Sequence, residues 1–425
     1  MKVIIIVLCF VSILFSKTYD LVEVFNLSYA NSDTFKIAKL KMEYVDEDVQ
    51  KSISSFYPKV NLDLEYKKLN EYPVVVDGVE KRRRDDRLDQ TLNVDQLLYD
   101  RSKYLEYQKQ KNNFSQTSLE KDKEYQQLVY DVIKYYFETL FRNKQIELAN
   151  QKLKRLEKIE LRAKLKYESG FISKADYLEA QAEKGDLLVK RTQLILDYNL
   201  SKSFLKKLTG VEDIEIKKNI ELKDVDAIKM QEYLNDIDEN IDLKIQTMKI
   251  KQADIQKSIS VTGFEPNLSL NYEYVNNDIE GADEQKTLTL LFQMSLFNGF
   301  YDVDNYQQAK ISQMIEKEKM SQLLKNTKQE LFNKYQKVKT YIEIIKAYPE
   351  IIEAKSFSLK AMRERFDVGT RTIINLLDEE NKYFDKLNKY TEYKYQYIVE
   401  YASLKQYTNS LNEEFIKKVN GYISE

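Results

Sequence analysis

Two stretches of the chain alternate between apolar and polar residues. Residues 56–66 read FYPKVNLDLEY, and residues 264–274 read FEPNLSLNYEY. Each begins with an aromatic residue and a proline, after which every second residue is apolar. A period of two places these apolar side chains on one face of a β-strand. The pattern therefore predicts two strands, each with one apolar face and one polar face.

A second alternating stretch follows each of these strands after a polar segment. The polar segments lie at 71–86 and 276–285, and the stretches after them read RLDQTLNVDQLLY and KTLTLLFQMSLF. Two amphipathic strands joined by a loop are typical of a β-hairpin. We therefore predict β-hairpins at 59–98 and 266–297, which gives four strands in one chain.

The rest of the chain spaces its apolar residues every three or four positions, as an α-helix does. This spacing predicts two very long helices, two return helices and two shorter ones, at 103–168 and 301–366, 174–208 and 373–415, 20–55 and 229–260. At 1.5 Å per residue, the two longest helices would each be roughly 100 Å long. Helices of this length need partners along their sides, so we expect them to pack as coiled coils.

Short turns interrupt the helical pattern in the stretches YESGFISKADYLEAQ and VGTRTIINLLDEEN. Gly170 and Gly369 are suited to end a helix in the left-handed conformation. Ser173 and Thr372 are suited to cap the helix that follows, and Asp176 completes a capping box with Ser173. Each stretch therefore predicts the tip of a helical hairpin.

The two halves of the chain repeat the same order of elements. Gly369 lies 199 residues after Gly170, nearly half of the 425 residues. The order helix, β-hairpin, long helix, tip and return helix therefore occurs twice. The predicted segments are a signal peptide at 1–16, a first repeat at 17–210 with its tip at 169–173, a linker at 211–228, and a second repeat at 229–425 with its tip at 368–372.

The first residues have the parts of a secretory signal peptide. The sequence MKVIIIVLCFVSILFSK places one lysine before the apolar run Val3–Phe15, and the small residue Ser16 follows. The run is shorter than the ~17–25 residues of a membrane-spanning helix. A lipid on Cys9 is disfavoured, because Leu8 is not the small residue that such a site prefers. We therefore expect cleavage after Ser16 and export of the chain.

Composition narrows the classes of function. The chain has no histidine, one cysteine, 9 glycines and 4 prolines, and 32% of its residues are charged. A zinc site, a Cys/His nucleophile and an internal disulfide are therefore disfavoured. The mean hydropathy of -0.58 excludes a polytopic helical membrane protein, and the net charge of -2 argues against nucleic acid as a partner. We expect no catalytic residue, cofactor or metal, and therefore no enzyme.

The predicted β-hairpins need a larger structure around them, because an isolated hairpin with one apolar face is marginally stable. A lipid bilayer admits strands only in a closed barrel, since an open edge leaves backbone groups without partners. Four strands are too few for a channel, whereas three chains would supply twelve, an even number that suits an outer-membrane barrel. The charged residues of the tips would then form rings around an opening, as they do in pores.

These motifs together resemble the TolC-type outer-membrane efflux proteins along nearly the whole chain after the signal peptide. The resemblance rests on the tips YESGFISKADYLEA and FDVGTRTIINLLD, the junction SLFNGF and the duplicated order of elements. It implies a mainly α fold with a small β part, in which a homotrimer forms a 12-stranded β-barrel in the outer membrane and a long α-helical coiled-coil barrel in the periplasm. It also implies the exit channel of a tripartite efflux pump or type I secretion system, which conducts passively and opens at its periplasmic tips like an iris.

The resemblance further implies partners. A periplasmic adaptor protein would dock at the tips and connect the channel to an inner-membrane pump, and outer-membrane lipid would surround the barrel. The implied docking residues are Gly170, Ser173, Gly369 and Thr372.

The resemblance also implies which residues of this chain would keep the entrance closed. The arginine two residues after the second tip glycine is Arg371, and its acidic partner in the first tip is Asp176. Phe366 stands where the family often has a tyrosine, so the hydrogen bond of that tyrosine is lost. The constriction ring falls at Asn375 and Asp378, where one carboxylate is replaced by an amide, which weakens the expectation of cation selectivity.

Three other interpretations remain open on the residues alone. A periplasmic coiled-coil scaffold explains the helices and the signal peptide, but not four amphipathic strands in duplicated positions. An adaptor also contains a helical hairpin, but its small β-domains need more than the 9 glycines present. An enzyme would have to rely on carboxylates, Lys, Ser or Tyr, and the sequence has no glycine-rich phosphate loop or nucleophile motif.

Overall fold

The fold is given by a computed structural model. It describes residues 18–68, 72–83, 87–217, 219–220, 228–277 and 284–424. The predicted signal peptide lies outside these residues, as do parts of the predicted linker and of the second polar segment.

Helices make up most of the described chain. Their bounds are α1 Leu21–Asn31, α2 Asp33–Ile53, α3 Arg101–Glu168, α4 Lys174–Thr209, α5 Met230–Asn235, α6 Ile241–Ser260, α7 Tyr301–Asp367, α8 Ile373–Tyr407 and α9 Glu413–Asn420. The fold is thus mainly helical, as the spacing of apolar residues predicts. Within the described ranges, no helix combines the length and the apolar character that a membrane crossing requires.

Strands form a smaller part of the structure. Their bounds are β1 Thr18–Tyr19, β2 Lys59–Lys67, β3 Tyr72–Val76, β4 Val79–Arg83, β5 Arg87–Tyr99, β6 Glu215–Ile216, β7 Asn219–Ile220, β8 Asn267–Asn277, β9 Gln285–Gln293 and β10 Ile423–Ser424. The two-residue strands pair with one another, β1 with β6 in parallel and β7 with β10 antiparallel. The other six strands form two separate sheets.

Three of the predicted helices are each divided by a short turn. The predicted helix 229–260 is α5 followed by α6. The predicted helix 20–55 is α1 followed by α2. Between them, the backbone of Ser32 is extended, and its hydroxyl accepts a hydrogen bond from the N–H of Phe35 at 3.2 Å. The predicted return helix 373–415 is α8 followed by α9, and the Asn412 side chain caps α9. The predictions of 20–55 and 373–415 as single helices were wrong because a short polar side chain starts a new helix at Ser32 and at Asn412.

Four strands form one antiparallel sheet in the order β2-β5-β8-β9. β5 and β8 are therefore the central strands, and β2 and β9 are the edges. The register places Leu62 opposite Leu92, and Leu92 opposite Tyr274. Because directly opposite residues share a face, these three side chains follow one another across the sheet. The two predicted hairpins are thus joined into one sheet through β5 and β8.

A second, two-stranded sheet lies within the segment 71–86, where we expected a polar loop. β3 pairs antiparallel with β4, and Asp77 and Gly78 between them have φ values of 57° and 79°. Two positive φ values identify a type I′ turn, for which Asp-Gly is a favoured sequence. The prediction of a loop was wrong for residues 72–83, because the valines and the Asp-Gly pair favour a hairpin.

The chain divides into two compact units. The first contains the described residues within 1–36, 122–241 and 326–425, and the second contains 37–121 and 242–325 apart from the residues that are not described. Each unit takes segments from both predicted repeats, and α3 and α7 contribute to both units.

In the second unit, hydrogen bonds from buried polar side chains connect neighbouring helices. The Asn112 amide on α3 is buried and donates to the carbonyl oxygen of Met248 on α6 at 2.9 Å. On the other side of α6, the Gln246 amide donates to the carbonyl oxygen of Glu316 on α7 at 3.0 Å. Buried polar groups with partners of this kind fix how neighbouring helices are aligned, because a shift would leave them unpaired.

The first unit has an apolar core where α1, α3, α8 and α9 meet. Its fully buried members include Leu21, Val24, Val132, Ile133, Phe137, Tyr397, Ile398 and Ile416. Burying each of these aliphatic or aromatic side chains contributes about 1.5–3 kcal/mol. A hydrogen bond of 3.0 Å from the Leu21 N–H to the Asn420 side chain joins α1 to the end of α9. The same unit carries both helical tips.

Candidate functional site

The first helical hairpin consists of α3 and α4, and its tip is built by backbone and capping hydrogen bonds. Gly170 has a φ of 75°, and the N–H of Phe171 donates to the carbonyl of Lys166 at 2.8 Å. This is the arrangement of a Schellman motif, which closes the end of α3. Ser173 then caps α4, and its hydroxyl accepts from the N–H of Asp176 at 3.1 Å.

The second helical hairpin consists of α7 and α8, and its tip repeats this construction. Gly369 has a φ of 80°, and the N–H of Thr370 donates to the carbonyl of Arg365 at 2.9 Å. Thr372 caps α8, and its hydroxyl accepts from the N–H of Asn375 at 3.4 Å. Different residues therefore build the same chain reversal, as both stretches of sequence predict.

The two tips face a common groove of about 1120 Å³. Asp176 and Gly170 line it from the first tip, and Phe366, Arg371 and Asn375 line it from the second. Ser173, Gly369 and Thr372 line it as well, so eight of the nine predicted site residues meet at one place, with the charged Arg371 and Asp176 on opposite sides. Asp378 is not among the lining residues of this groove.

The predicted latch residues do not bind one another within the described chain. No hydrogen bond or ion pair joins Arg371 to Asp176 in the part of the chain that the structure describes. Instead the Asp176 carboxylate accepts from the hydroxyl of Ser173 at 2.8 Å and from its N–H at 3.2 Å. Arg371 is exposed.

Phe366 is a core residue of the second tip. Its side chain is 1% exposed, and the Lys166 ammonium lies 4.3 Å from the centre of its ring. An ammonium group over an aromatic face is attracted by the electron density of the ring. A tyrosine hydroxyl at this position is absent, and the ring binds the first hairpin through Lys166 instead.

The predicted constriction residues lie in the first turns of α8. The Asn375 side-chain oxygen accepts from the hydroxyl of Thr372 at 3.0 Å, so its amide serves the cap. Asp378 is exposed and forms an ion pair of 2.5 Å with Lys382, one turn further along the same helix. Whether these two residues ring an opening depends on the assembled protein, so that assignment stays a prediction.

Sequence analysis missed two contacts that bind the hairpins to each other. Arg162 of α3 donates to both carboxylate oxygens of Asp367 at the end of α7, each at 2.9 Å. Lys166 of α3 donates to the carbonyl oxygens of Phe366 and Asp367, at 2.7 Å and 3.2 Å. A cation is favourable there, because the C-terminus of a helix carries partial negative charge.

A third missed contact is buried. The Glu380 side chain on α8 is 0% exposed, and it accepts from the Nε of Arg363 on α7 at 3.0 Å. Arg155 of α3 approaches its other carboxylate oxygen to 3.7 Å. Arg155 also lies over the rings of Tyr383 and Phe384, at 5.4 Å and 5.2 Å. Two arginines from two helices therefore hold one buried carboxylate.

Apolar side chains fill the space between the two hairpins around these charges. The buried cluster consists of Ala149, Leu156, Ile159, Ala163, Ala180, Leu187, Leu359, Phe366, Ile373, Leu376 and Leu377. All four hairpin helices contribute to it. The hairpins are thus packed against one another over several turns, and the charged contacts lie along that packed surface.

The main sheet in the second unit has an unusual exposed face. Val60, Leu62 and Leu64 on β2 and Leu288 and Leu290 on β9 are each 62–68% exposed. Their neighbours on the intervening strands in the register are also mostly apolar. Within the described ranges, the edge strands β2 and β9 each pair with one neighbour of this sheet. A contiguous apolar face with unpaired edges is the mark of an interaction surface.

Comparisons with known proteins agree with this architecture. Outer membrane protein TolC of Vibrio cholerae is 22% identical over 417 residues, which cover 94% of this chain and 93% of that protein. The Campylobacter jejuni CmeC outer membrane channel has a TM-score of 0.81 at 16% identity, covering 95% of this chain and 90% of that one. The open state of the Neisseria gonorrhoeae MtrE outer membrane channel has a TM-score of 0.77 at 14% identity, covering 92% of this chain and 90% of that one.

A family profile gives the assignment. The profile described as "Outer membrane efflux protein" matches residues 24–199 and 237–410. The two matched segments cover most of the chain, and each contains one of the helical tips. The chain therefore belongs to the outer membrane efflux protein family, a family of outer-membrane channels and not of enzymes.

Proposed function

We propose that the protein is the homotrimeric exit channel of a tripartite efflux pump or a type I secretion system. The observation that carries this proposal is the main sheet. Its apolar face is exposed, and its edge strands β2 and β9 lack a second partner within the sheet. In a bilayer the apolar face would contact lipid, and the edges would have to pair to avoid unsatisfied backbone groups.

Three copies would satisfy the edges. If β9 of one chain pairs with β2 of the next, three sheets of four strands close into a barrel of twelve, which is an even number as outer-membrane barrels require. The opposite face of the sheet carries Asn61, Asp63, Asn93 and Glu273, which would suit a water-filled lumen. A coiled-coil scaffold would give this sheet no role.

A stripe on the first helical hairpin also favours assembly. Leu178, Val189, Leu196 and Leu200 on α4 are 46–73% exposed, and their spacing of 11, 7 and 4 places them on one helical face. Exposed apolar residues at coiled-coil spacing need a partner helix. In a homotrimer, the helical hairpin of a neighbouring copy would cover this stripe.

The tips would form the gated entrance. In the assembled trimer, Asp176 of one chain would lie near Arg371 of the next, and this ion pair would keep the entrance closed. Asn375 and Asp378 would line the constriction. Gly170, Ser173, Gly369 and Thr372 would present the tips to a periplasmic adaptor, which would connect the channel to an inner-membrane pump. Conduction would be passive, with iris-like opening of the helices.

The barrel is tested by placing a charge on either face of β2. We expect Leu62→Arg to block trimer assembly in outer membranes, because an arginine facing lipid near the bilayer centre costs about 2–4 kcal/mol. Asn61→Arg is the matched control, since its side chain belongs to the opposite face. Equal yields of folded trimer from both variants would contradict the barrel.

The channel and its latch are tested by single-channel conductance of trimers in planar bilayers. We expect discrete steps for the wild type and a larger open fraction for Arg371→Ala. Arg365→Ala, an exposed arginine in the last turn of α7, is the control for the lost charge. Silence of the wild type and of Arg371→Ala, from correctly inserted trimers, would exclude the proposed channel.

A further inference from the structure

Three basic residues lie on one face of α3 and all reach the second helical hairpin. Arg155, Arg162 and Lys166 are separated by seven and four positions, a spacing that aligns side chains along a helix. We call them the basic stripe. Arg155 contacts Glu380, Arg162 contacts Asp367, and Lys166 contacts the last carbonyls of α7.

Other ion pairs of α3 near the tip serve a different purpose. Lys152 pairs with Glu183 at 3.1 Å, and Glu160 pairs with Lys184 at 2.5 Å. Both of these pairs join α3 to α4, so they hold the first hairpin together. The basic stripe instead joins the first hairpin to the second, which makes it a separate set of contacts.

The second repeat keeps only one of the three basic residues. With the offset of 199 residues that relates the tips, the positions of Arg155 and Arg162 correspond to Ala354 and Ala361, and that of Lys166 corresponds to Arg365. The contacts that Arg155 and Arg162 make with the other hairpin therefore have no counterpart from the second repeat. This difference between the repeats indicates a role that the hairpin fold alone does not require.

The two ends of the stripe differ in exposure. The carboxylate of Glu380 is fully buried, whereas the side chains of Asp367 and Arg162 are 45% and 53% exposed. Arg155 lies 3.7 Å from this buried carboxylate, which Arg363 also holds, and it packs over the rings of Tyr383 and Phe384. The exposed Arg162–Asp367 pair has no such cover and is screened by water and salt. The contact at Asp367 therefore separates more readily than the contact at Glu380.

We propose that the basic stripe is an intrachain clamp on the second hairpin, with Glu380 as its pivot and the Arg162–Asp367 pair as its release point. This inference rests on the proposed function, because the clamp would hold the entrance closed. The tip of the second hairpin moves when Arg162 and Lys166 release the end of α7, while the buried Glu380 contact stays intact. Arg162 and Asp367 are thus positioning residues for the gate, distinct from Arg371 and Asp176.

Charge reversal tests the release point. The variants are Arg162→Asp, Asp367→Arg and the double variant, which restores the pair in the opposite sense. Lys154→Asp, with the same change of charge at an exposed residue of α3 away from the basic stripe, is the control. The readouts are the open fraction in planar bilayers and hydrogen exchange of the backbone amides of residues 364–372, both measured on assembled trimers.

We expect each single reversal to raise the open fraction by about fivefold per released chain, the factor for an exposed ion pair worth about 1 kcal/mol. Amide exchange at 364–372 should accelerate in both single variants. The double variant should return both readouts toward the wild type, and Lys154→Asp should change neither.

The outcomes separate the clamp from the channel. Faster exchange that the double variant reverses, together with silent bilayers for every variant, would support the clamp and refute the channel. Normal conductance steps with an unchanged open fraction and unchanged exchange in Arg162→Asp would overturn the clamp and leave the channel standing. A double variant that behaves like the two single variants combined would also overturn it, because the effects would not come from the pair.

Discussion

Removing Arg363 should weaken the second helical hairpin far more than removing an exposed partner nearby. Glu380 is 0% exposed, and Arg363 supplies its two closest contacts, one of them at 3.0 Å. In Arg363→Ala, the buried carboxylate would keep only Arg155, at 3.7 Å. Leaving a buried charge without its partner costs about 3–5 kcal/mol, and we expect the lower figure because Arg155 remains.

The assay is hydrogen exchange of the backbone amides in the first three turns of α8. A loss of about 3 kcal/mol in the local opening free energy corresponds to exchange that is roughly 150-fold faster. Lys382→Ala is the matched control, because Lys382 pairs with the exposed Asp378 on the same helix. An exposed pair of this spacing contributes about 0.3–0.5 kcal/mol, so the control should accelerate exchange by less than threefold.

A second substitution tests the physical cause. Adding Glu380→Gln to Arg363→Ala removes the buried charge that lost its partner. We expect the double variant to regain much of the lost protection, since a neutral amide is cheaper to bury than a carboxylate. Acceleration of less than fivefold in Arg363→Ala, or no recovery in the double variant, would refute the argument that an unpaired charge is the cause.

Two further predictions concern the second tip and the second unit. Gly369→Ala should destabilise the tip by about 1–2 kcal/mol, and only through the positive φ, because a Cβ there would meet no atom within 4 Å. Gly369→Asn should cost less, since asparagine tolerates this backbone conformation better, and thermal unfolding followed by circular dichroism compares the two variants. The hydrogen bond from Lys319, followed by that from Gln246, holds the pKa of Glu316 below its ordinary value of 4.5. The stabilisation from ionised Glu316 is therefore complete above pH 4.5 and is lost as the pH falls through the lower pKa of the folded state. Between pH 5 and pH 3, the midpoint temperature of unfolding should therefore fall less in Glu316→Gln than in the wild type.

The elements that follow a local period could be predicted from the sequence. The alternation in VNLDLEY gave β2, and the helical spacing gave α3 to within two residues at its start. Glycine and capping residues identified both tips, because the αL position and the N-cap depend on the residue types themselves. Period and capping are local properties, so no partner segment was needed to find them.

Other features were missed although their signal was present. The Asp77-Gly78 turn of the small sheet lay inside a segment that we interpreted as polar, because its charged residues outweighed three consecutive valines. The break at Ser32 was missed because the helical pattern resumes in the same phase after it. In both cases one or two residues with strong local preferences decided the backbone.

The contacts between the hairpins could not be predicted, because they depend on how two helices are turned toward each other. Arg162 and Asp367 are 205 positions apart, and each looks like an ordinary surface charge in the sequence. The burial of Glu380 is equally invisible, since its neighbour Glu379 has the same residue type but only partial burial. Only the spacing of Arg155, Arg162 and Lys166 indicates from the sequence that these residues share a face of α3. This spacing does not identify the residues that they contact.

The clamp has a strength that suits a gate. Each chain would contribute one exposed pair of up to about 1 kcal/mol, so three chains would favour the closed state by up to about 3 kcal/mol, roughly 150-fold. If the clamp favoured the closed state more strongly, a partner would need more binding energy to open the entrance than a few contacts at the tips provide. A much weaker one would leave the entrance open without a partner. Because Arg162 and Lys166 belong to the first hairpin and bind the end of the second, an adaptor docked on the first tip would release the clamp by moving those two side chains.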